Sequence, residues 1–123
     1  MLIIFGISLN KNKKIIYALT QLYGIGNTLA KRICKELSFA PELTVSNLTS
    51  QQQFEITKKI KEEFRVEENL RELIRNNIHH YISNGSIRGY RHKNHLPVRG
   101  QRTHTNAKTV KRTNLQFITK KNN

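Results

Sequence analysis

Aspartate and tryptophan are absent from this chain, cysteine occurs once, proline twice, and no glutamate follows Glu72. Each absence excludes something. A lone cysteine, Cys34, forms no intramolecular disulfide and no thiolate cluster for zinc, so it reads as a small core residue in a reducing compartment. No apolar run approaches the roughly 20 residues of a membrane span. The longest, Met1 to Ile7, has no basic stretch ahead of it and resembles neither a signal peptide nor an Arg- and Ser-rich transit peptide. The eight glutamates are the only acidic side chains and all precede Arg75. They alternate with Lys and Arg, as in Lys58 to Glu63 and Glu67 to Arg75, which is the pattern of solvated helix faces and not of a catalytic pair. His79, His80, His92, His95 and His104 fall at no metal-ligand spacing. No enzyme activity, metal or cofactor is expected.

What is present is positive charge: 22 Lys and Arg against eight Glu give a net charge of +14 over 123 residues, a length that suits one domain. Residues 1–82 carry 12 basic and 8 acidic side chains, whereas residues 83–123 carry 10 basic and none acidic. Apolar residues divide the same way, 36 of the first 82 against 9 of the last 41, so only the first part can build a core. The expected organisation is a helical domain over residues 1–85 and an extended basic arm over 86–123. The natural counterpart of an acid-free arm is a polyanion, with nucleic acid first. A membrane is disfavoured as partner, because the arm interleaves its charge with Gly, Thr, Asn and Gln and has no apolar face at helical spacing.

Ile15, Ala18, Leu19 and Leu22 lie at i, i+3, i+4 and i+7, one face of a short helix. Tyr23-Gly24-Ile25-Gly26 follows, then Leu29, Ile33 and Leu37 flanked by Ala30 and Cys34, with Asn27 or Thr28 as N-cap. Residues 14–38 therefore read as helix, glycine hairpin, helix. Pro41 to Asn47 reads as a connector, and Thr49 with Gln52 as a capping box opening a third helix through Ile56, Ile60 and Phe64. A fourth helix carries Leu70, Leu73, Ile74, Ile78, Tyr81 and Ile82 and stops at Asn84-Gly85. Met1 to Leu9 shows no partner strand and is expected to be extended. The fold class is all-α, with the basic arm appended.

The hairpin Gly24-Ile25-Gly26 before a helix has two readings: a backbone that approaches a phosphate at a helix N-terminus, or a tight turn between packed helices. Lys13, Lys14, Lys31 and Arg32 nearby favour phosphate. In the arm, Arg88, Arg91, Lys93, Arg99, Arg102, Lys108, Lys111 and Arg112 recur every few residues between Gly89, Pro97 and Gly100. Fully extended, these 25 residues would reach about 80 Å at ~3.3 Å each, and a free arm of this kind is expected to be disordered without its partner. Irregularly mixed Arg, His, Gly, Thr and Asn suit a surface on which each side chain meets a different phosphate, ribose or base edge. Tyr90 and His92 suit stacking on bases, while Tyr90 would equally suit docking on the helical domain.

Several motifs resemble one family: Ala18-Leu19-Thr20 before Tyr23-Gly24-Ile25-Gly26, Asn69-Leu70-Arg71-Glu72, Arg88-Gly89-Tyr90-Arg91-His92, Leu96-Pro97-Val98-Arg99-Gly100-Gln101-Arg102-Thr103, and Thr105-Asn106-Ala107. Together they resemble the small-subunit ribosomal protein S-thirteen family, bacterial and organellar type, over residues 3–112. The resemblance implies a helix-two-turns-helix domain in the head of the small subunit and an arm running through small-subunit rRNA. It further implies contacts with small-subunit protein S-nineteen and large-subunit protein L-five, the latter an intersubunit bridge, and an arm end near P-site tRNA. By position, Arg88, Arg91, His92, Arg99, Gly100, Gln101, Arg102, Thr103, Thr105 and Asn106 would be rRNA contacts of the arm, with Gly24 and Gly26 as the hairpin. The basic residues noted above, with Asn27 and Thr28, complete the expected RNA-binding set. This chain carries Asn94 and His95 where the family has further Arg and Gly, and its end, Thr113 to Asn123, is its own. DNA-repair glycosylases share such helical modules, but one class needs an Asp absent here, and another an N-terminal Pro-Glu where Leu2 and Ile3 stand. A general DNA-packaging role is the other alternative. The family pattern begins at about residue 3, leaving no room for an import sequence. With the Asn, Ile and Lys richness, the expectation is a bacterial or organelle-made protein, mitochondrial in preference.

Overall fold

The computed structural model describes residues 2–112 and divides the chain into two compact units, one up to Arg71 and one from Glu72. The tail Thr113 to Asn123 lies outside the described residues.

In the first unit the N-terminal segment is not a lone extended strand. Strands β1 (Leu2–Ile4) and β2 (Ile7–Leu9) pair antiparallel with Leu2 opposite Leu9 and Ile4 opposite Ile7. The segment is its own partner: Phe5 (φ 51°) and Gly6 (φ 81°) form a two-residue turn with both central residues left-handed, the geometry whose twist matches a hairpin. Leu2, Ile4 and Leu9 share one face of the hairpin and are buried in the core.

Helix α1 (Ile15–Leu19) buries the face read from the sequence, with Ile15, Ala18, Leu19 and Leu22 all inside the core. Helix α2 (Asn27–Glu36) starts one or two residues earlier than its polar side chains suggested, for Gly26 is the N-cap and neither Asn27 nor Thr28 caps it. It ends where Phe39 N–H donates to Cys34 O and Ser38 N–H to Lys35 O, with Ser38 at φ 56° in the place glycine usually takes. A 3-10 turn (Val45–Asn47) sits within the expected connector. Helix α3 (Ser50–Glu63) opens on the expected capping box: Thr49 Oγ1 accepts from Gln52 N–H and Gln52 Oε1 from Thr49 N–H. Ile56 and Ile60 join Ala30, Ile33, Cys34, Val45, Leu48 and Val66 in a single core. Burial also pushes the Cys34 thiol pKa up, as suits an inert packing residue.

Helix α4 (Glu67–Ser83) ends before Gly85 at φ 65°, the stop read from Asn84-Gly85. In the second unit, loss of hydrophobic periodicity does not mean loss of helix. Ile87–Lys93 forms α5 and Thr103–Asn106 forms α6, so the chain beyond Ser86 is not extended throughout. Wound into α5, seven residues span about 10 Å, against about 23 Å if extended.

Candidate nucleic-acid interface

Two regions hold the sequence-predicted RNA-binding residues, and the structure builds each from different forces.

The first is the glycine hairpin. Gly24 has φ 106°, and a Cβ there would come 2.8 Å from Leu70 Cδ2 and 3.2 Å from the Arg65 carbonyl oxygen. Its missing side chain is thus what lets the hairpin seat against the start of α4. Gly26, in contrast, has open space around it and leads directly into α2, whose first N–H groups have no partner within the helix. Asn27, Thr28, Lys31 and Arg32 are exposed along that first part of the helix. Two cations of this region are already paired: Lys14 Nζ lies 2.6 Å from Glu42, and Arg32 Nε lies 2.8 Å from Glu36. Glu36 also meets Lys59 Nζ at 2.7 Å, tying α2 to α3. The Arg32 hydrogen bond first, and then Lys59, lower the Glu36 carboxyl pKa from 4.5 to about 2. Lys13 and Lys31 are exposed.

Below the hairpin lies a residue that sequence reasoning misassigned. Glu67 belongs to no solvated helix face: it is only 9% exposed, its carboxylate accepts from Tyr23 N–H, and its own N–H donates to Tyr23 O at 2.9 Å. Arg71 completes the site, with Nη1 at 3.1 Å from Glu67 Oε2 and its guanidinium carbon 4.7 Å from the Tyr23 ring centroid. Glu67 accepts a left-handed φ of 49° to make these bonds, a conformation that costs an L-residue about 1–2 kcal/mol.

The second region begins at the end of α4. Ser86 Oγ accepts from Gly89 N–H at 3.1 Å and donates to Tyr81 O at 3.0 Å, so one hydroxyl both caps α5 and ties it to α4. Gly89 is buried, and a Cβ on it would overlap the Tyr81 carbonyl, which makes this crossing a glycine requirement. Arg88 and His92, one turn apart, both lie against the Tyr81 ring, at 5.1 Å and 6.4 Å from its centroid. His92 therefore stacks within the protein in this structure. Burial and then the Arg88 charge lower its pKa. Tyr90 is 64% exposed. Arg88, Lys93, Arg99, Arg102, Lys108, Lys111 and Arg112 are exposed, as are Gly100, Gln101, Thr103, Thr105 and Asn106, whereas Arg91 is half-buried with Nε donating to Pro97 O. No side-chain carboxylate occurs anywhere in this stretch.

Among the described residues there is no group of His, Cys or Glu arranged to hold a metal, and no helix is long and apolar enough to cross a membrane. Fold and charge together define a helical protein with a cationic extension, of the kind built to lie along a polyanion. A family model described as ribosomal protein S13/S18 matches residues 3–109. The chain is 42% identical over 115 residues to small ribosomal subunit protein uS13m of Marchantia polymorpha, covering 94% of each. It is 47% identical over 108 residues to small ribosomal subunit protein uS13 of Pseudothermotoga lettingae, covering 88% of this chain and 84% of the relative. To uS13 of Thermotoga maritima it is 45% identical over 108 residues, covering 88% and 86%. The chain belongs to the ribosomal protein S13 family, and its role is a structural one in the small ribosomal subunit, not an enzymatic one.

Proposed function

We propose that this protein anchors itself in the small subunit by binding rRNA through the acid-free stretch 86–112, with the hairpin around Gly26, Asn27, Thr28, Lys31 and Arg32 as a second, weaker contact. The observation that carries this reading is the set of exposed cations Arg88, Lys93, Arg99, Arg102, Lys108, Lys111 and Arg112 in a stretch with no carboxylate of its own to neutralise it. Exposed Tyr90 supplies a ring for stacking on an unpaired base. The helical domain contributes protein contacts, with S-nineteen and L-five as the partners the family resemblance implies. Phe54, 68% exposed on α3, supports a protein contact on that helix. The far end of the arm lies near P-site tRNA in this reading.

In this reading the compartment is the mitochondrion. The Asn, Ile and Lys richness supports this, and a mitochondrial uS13m stands among the relatives beside bacterial uS13 proteins. Sucrose-cushion ribosomes from purified mitochondria should contain the protein, and its recovery only with other ribosomes would contradict the assignment.

A salt titration of the full-length protein with small-subunit rRNA tests the RNA reading. Each neutralised phosphate contributes about 0.7–0.9 to the slope of log K against log salt, so four or more contacts give a slope of about −3 or steeper. A flat slope would overturn it.

A further inference from the structure

Arg91 stands apart from the other cations of the basic stretch. It is half-buried, and its Nε–H donates to the carbonyl of Pro97, a residue among the most deeply buried in the chain. Without that donor, the Pro97 oxygen would be a buried acceptor left unsatisfied. Around the same point α5 closes on itself: Leu96 N–H donates to Arg91 O at 2.9 Å and His95 N–H to His92 O at 3.3 Å. This is the six-to-one and five-to-two pattern that ends helices with a left-handed residue. His95 fills that place at φ 56°, although glycine would adopt it more easily. Pro97 then forbids further helix, since the residue before proline is held extended. The other end of α5 is fixed by Ser86 and by the close approach of Gly89 to Tyr81.

Residues 81–97 are therefore tied at both ends by contacts internal to the protein. We infer that they form an elbow folded before any RNA arrives, and that Arg91 is a positioning residue which sets the direction of the chain from Pro97 into Arg99 and Arg102. The inference rests on the RNA-binding reading for its consequence, and on the geometry of the free protein for its premise. Arg91 thus leaves the set of direct RNA contacts, while exposed Lys93, two positions on, stays in it.

The test compares Arg91→Lys, Arg91→Gln and Lys93→Gln in the full-length protein. In the free protein, amide exchange at Leu96 should be slow and should accelerate at least tenfold in both Arg91 variants but not in Lys93→Gln. Affinity for small-subunit rRNA should fall at least fivefold in Arg91→Lys, matching Arg91→Gln, because charge is retained and the planar guanidinium donor is lost. Lys93→Gln should instead reduce the salt slope by about 0.7–0.9. If Arg91→Lys binds like the parent, the positioning role fails; if it loses affinity with Leu96 still protected, Arg91 acts by touching RNA directly and the positioning role fails as well. Accelerated exchange with unchanged affinity would also overturn it. A flat salt slope in the parent is a different failure: it removes the RNA reading and leaves the elbow to be judged by exchange.

Discussion

Tyr23 and Glu67, 44 positions apart, hold each other through two hydrogen bonds of opposite direction, backbone to carboxylate and backbone to backbone. The pair fixes the start of α4 to the glycine hairpin, and Arg71 closes it by bonding the second carboxylate oxygen and covering the Tyr23 ring. Removing the carboxylate leaves the Tyr23 N–H without a partner and Arg71 without its counter-charge. Glu67→Ala should destabilise the protein by about 2–3 kcal/mol, and Glu67→Gln, which keeps an acceptor, by about 1. Urea unfolding followed by far-ultraviolet circular dichroism measures both, and a loss below about 0.5 kcal/mol for the alanine variant would contradict the account.

The two glycines of the hairpin should behave differently. At Gly24 a methyl group meets Leu70 and the backbone φ is left-handed, so Gly24→Ala should cost about 2 kcal/mol or more. At Gly26 there is open space and an ordinary φ, so Gly26→Ala should cost well under 1 kcal/mol, and Gly26→Ser should be neutral or slightly stabilising as an N-cap. Thermal unfolding of the three variants separates the positions. Equal costs for both alanines would refute the packing role of Gly24.

Phe5 occupies a left-handed position in the β1–β2 turn, next to Gly6. Phe5→Asn creates the dipeptide that this turn favours and should stabilise the protein by about 0.5–1 kcal/mol. A lower unfolding midpoint for Phe5→Asn would show that the Phe5 side chain contributes more than its conformation costs.

Glu36 links stability to acid. Its carboxyl pKa stands near 2 in the folded protein against 4.5 as its ordinary value, through Arg32 and Lys59. A depressed folded value means that the unfolded chain binds the proton first as pH falls. The contribution is therefore present in full above pH 4.5 and is lost between there and about pH 2. Glu36→Gln should be less stable than the parent at neutral pH, and the difference should shrink towards zero at the acid end of that window. The same difference should weaken with salt, since all three side chains reach solvent. A difference independent of pH would place the effect outside the ion pair.

The helical face Ile15, Ala18, Leu19 and Leu22 and the Thr49/Gln52 capping box were legible in the sequence because both depend on residues within two turns of each other. What escaped depends on distant or backbone contacts. Nothing local marks Glu67 as the carboxylate that Tyr23 needs, and its neighbourhood of alternating Glu and Arg suggests solvent instead. The β1–β2 hairpin escaped because phenylalanine is an unusual occupant of a left-handed turn position. Helix α5 has too few residues for a periodic signal and is held by the Gly89 approach to Tyr81, which leaves only a Ser86 cap to read. In the candidate interface, charge asymmetry marks the basic stretch, but only the structure separates exposed Lys93, Arg99 and Arg102 from half-buried Arg91 and stacked His92.

The basic stretch after Ser86 is the proposed anchor of this protein in the small subunit. Its most direct test is sucrose-gradient sedimentation of lysate from cells carrying either the full chain or a variant lacking residues 86–123, with both followed by mass spectrometry. The full chain should co-migrate with the small subunit through a moderate salt wash, and the truncated chain should stay at the top of the gradient. Truncated protein recovered in the small subunit at the level of the full chain would contradict it.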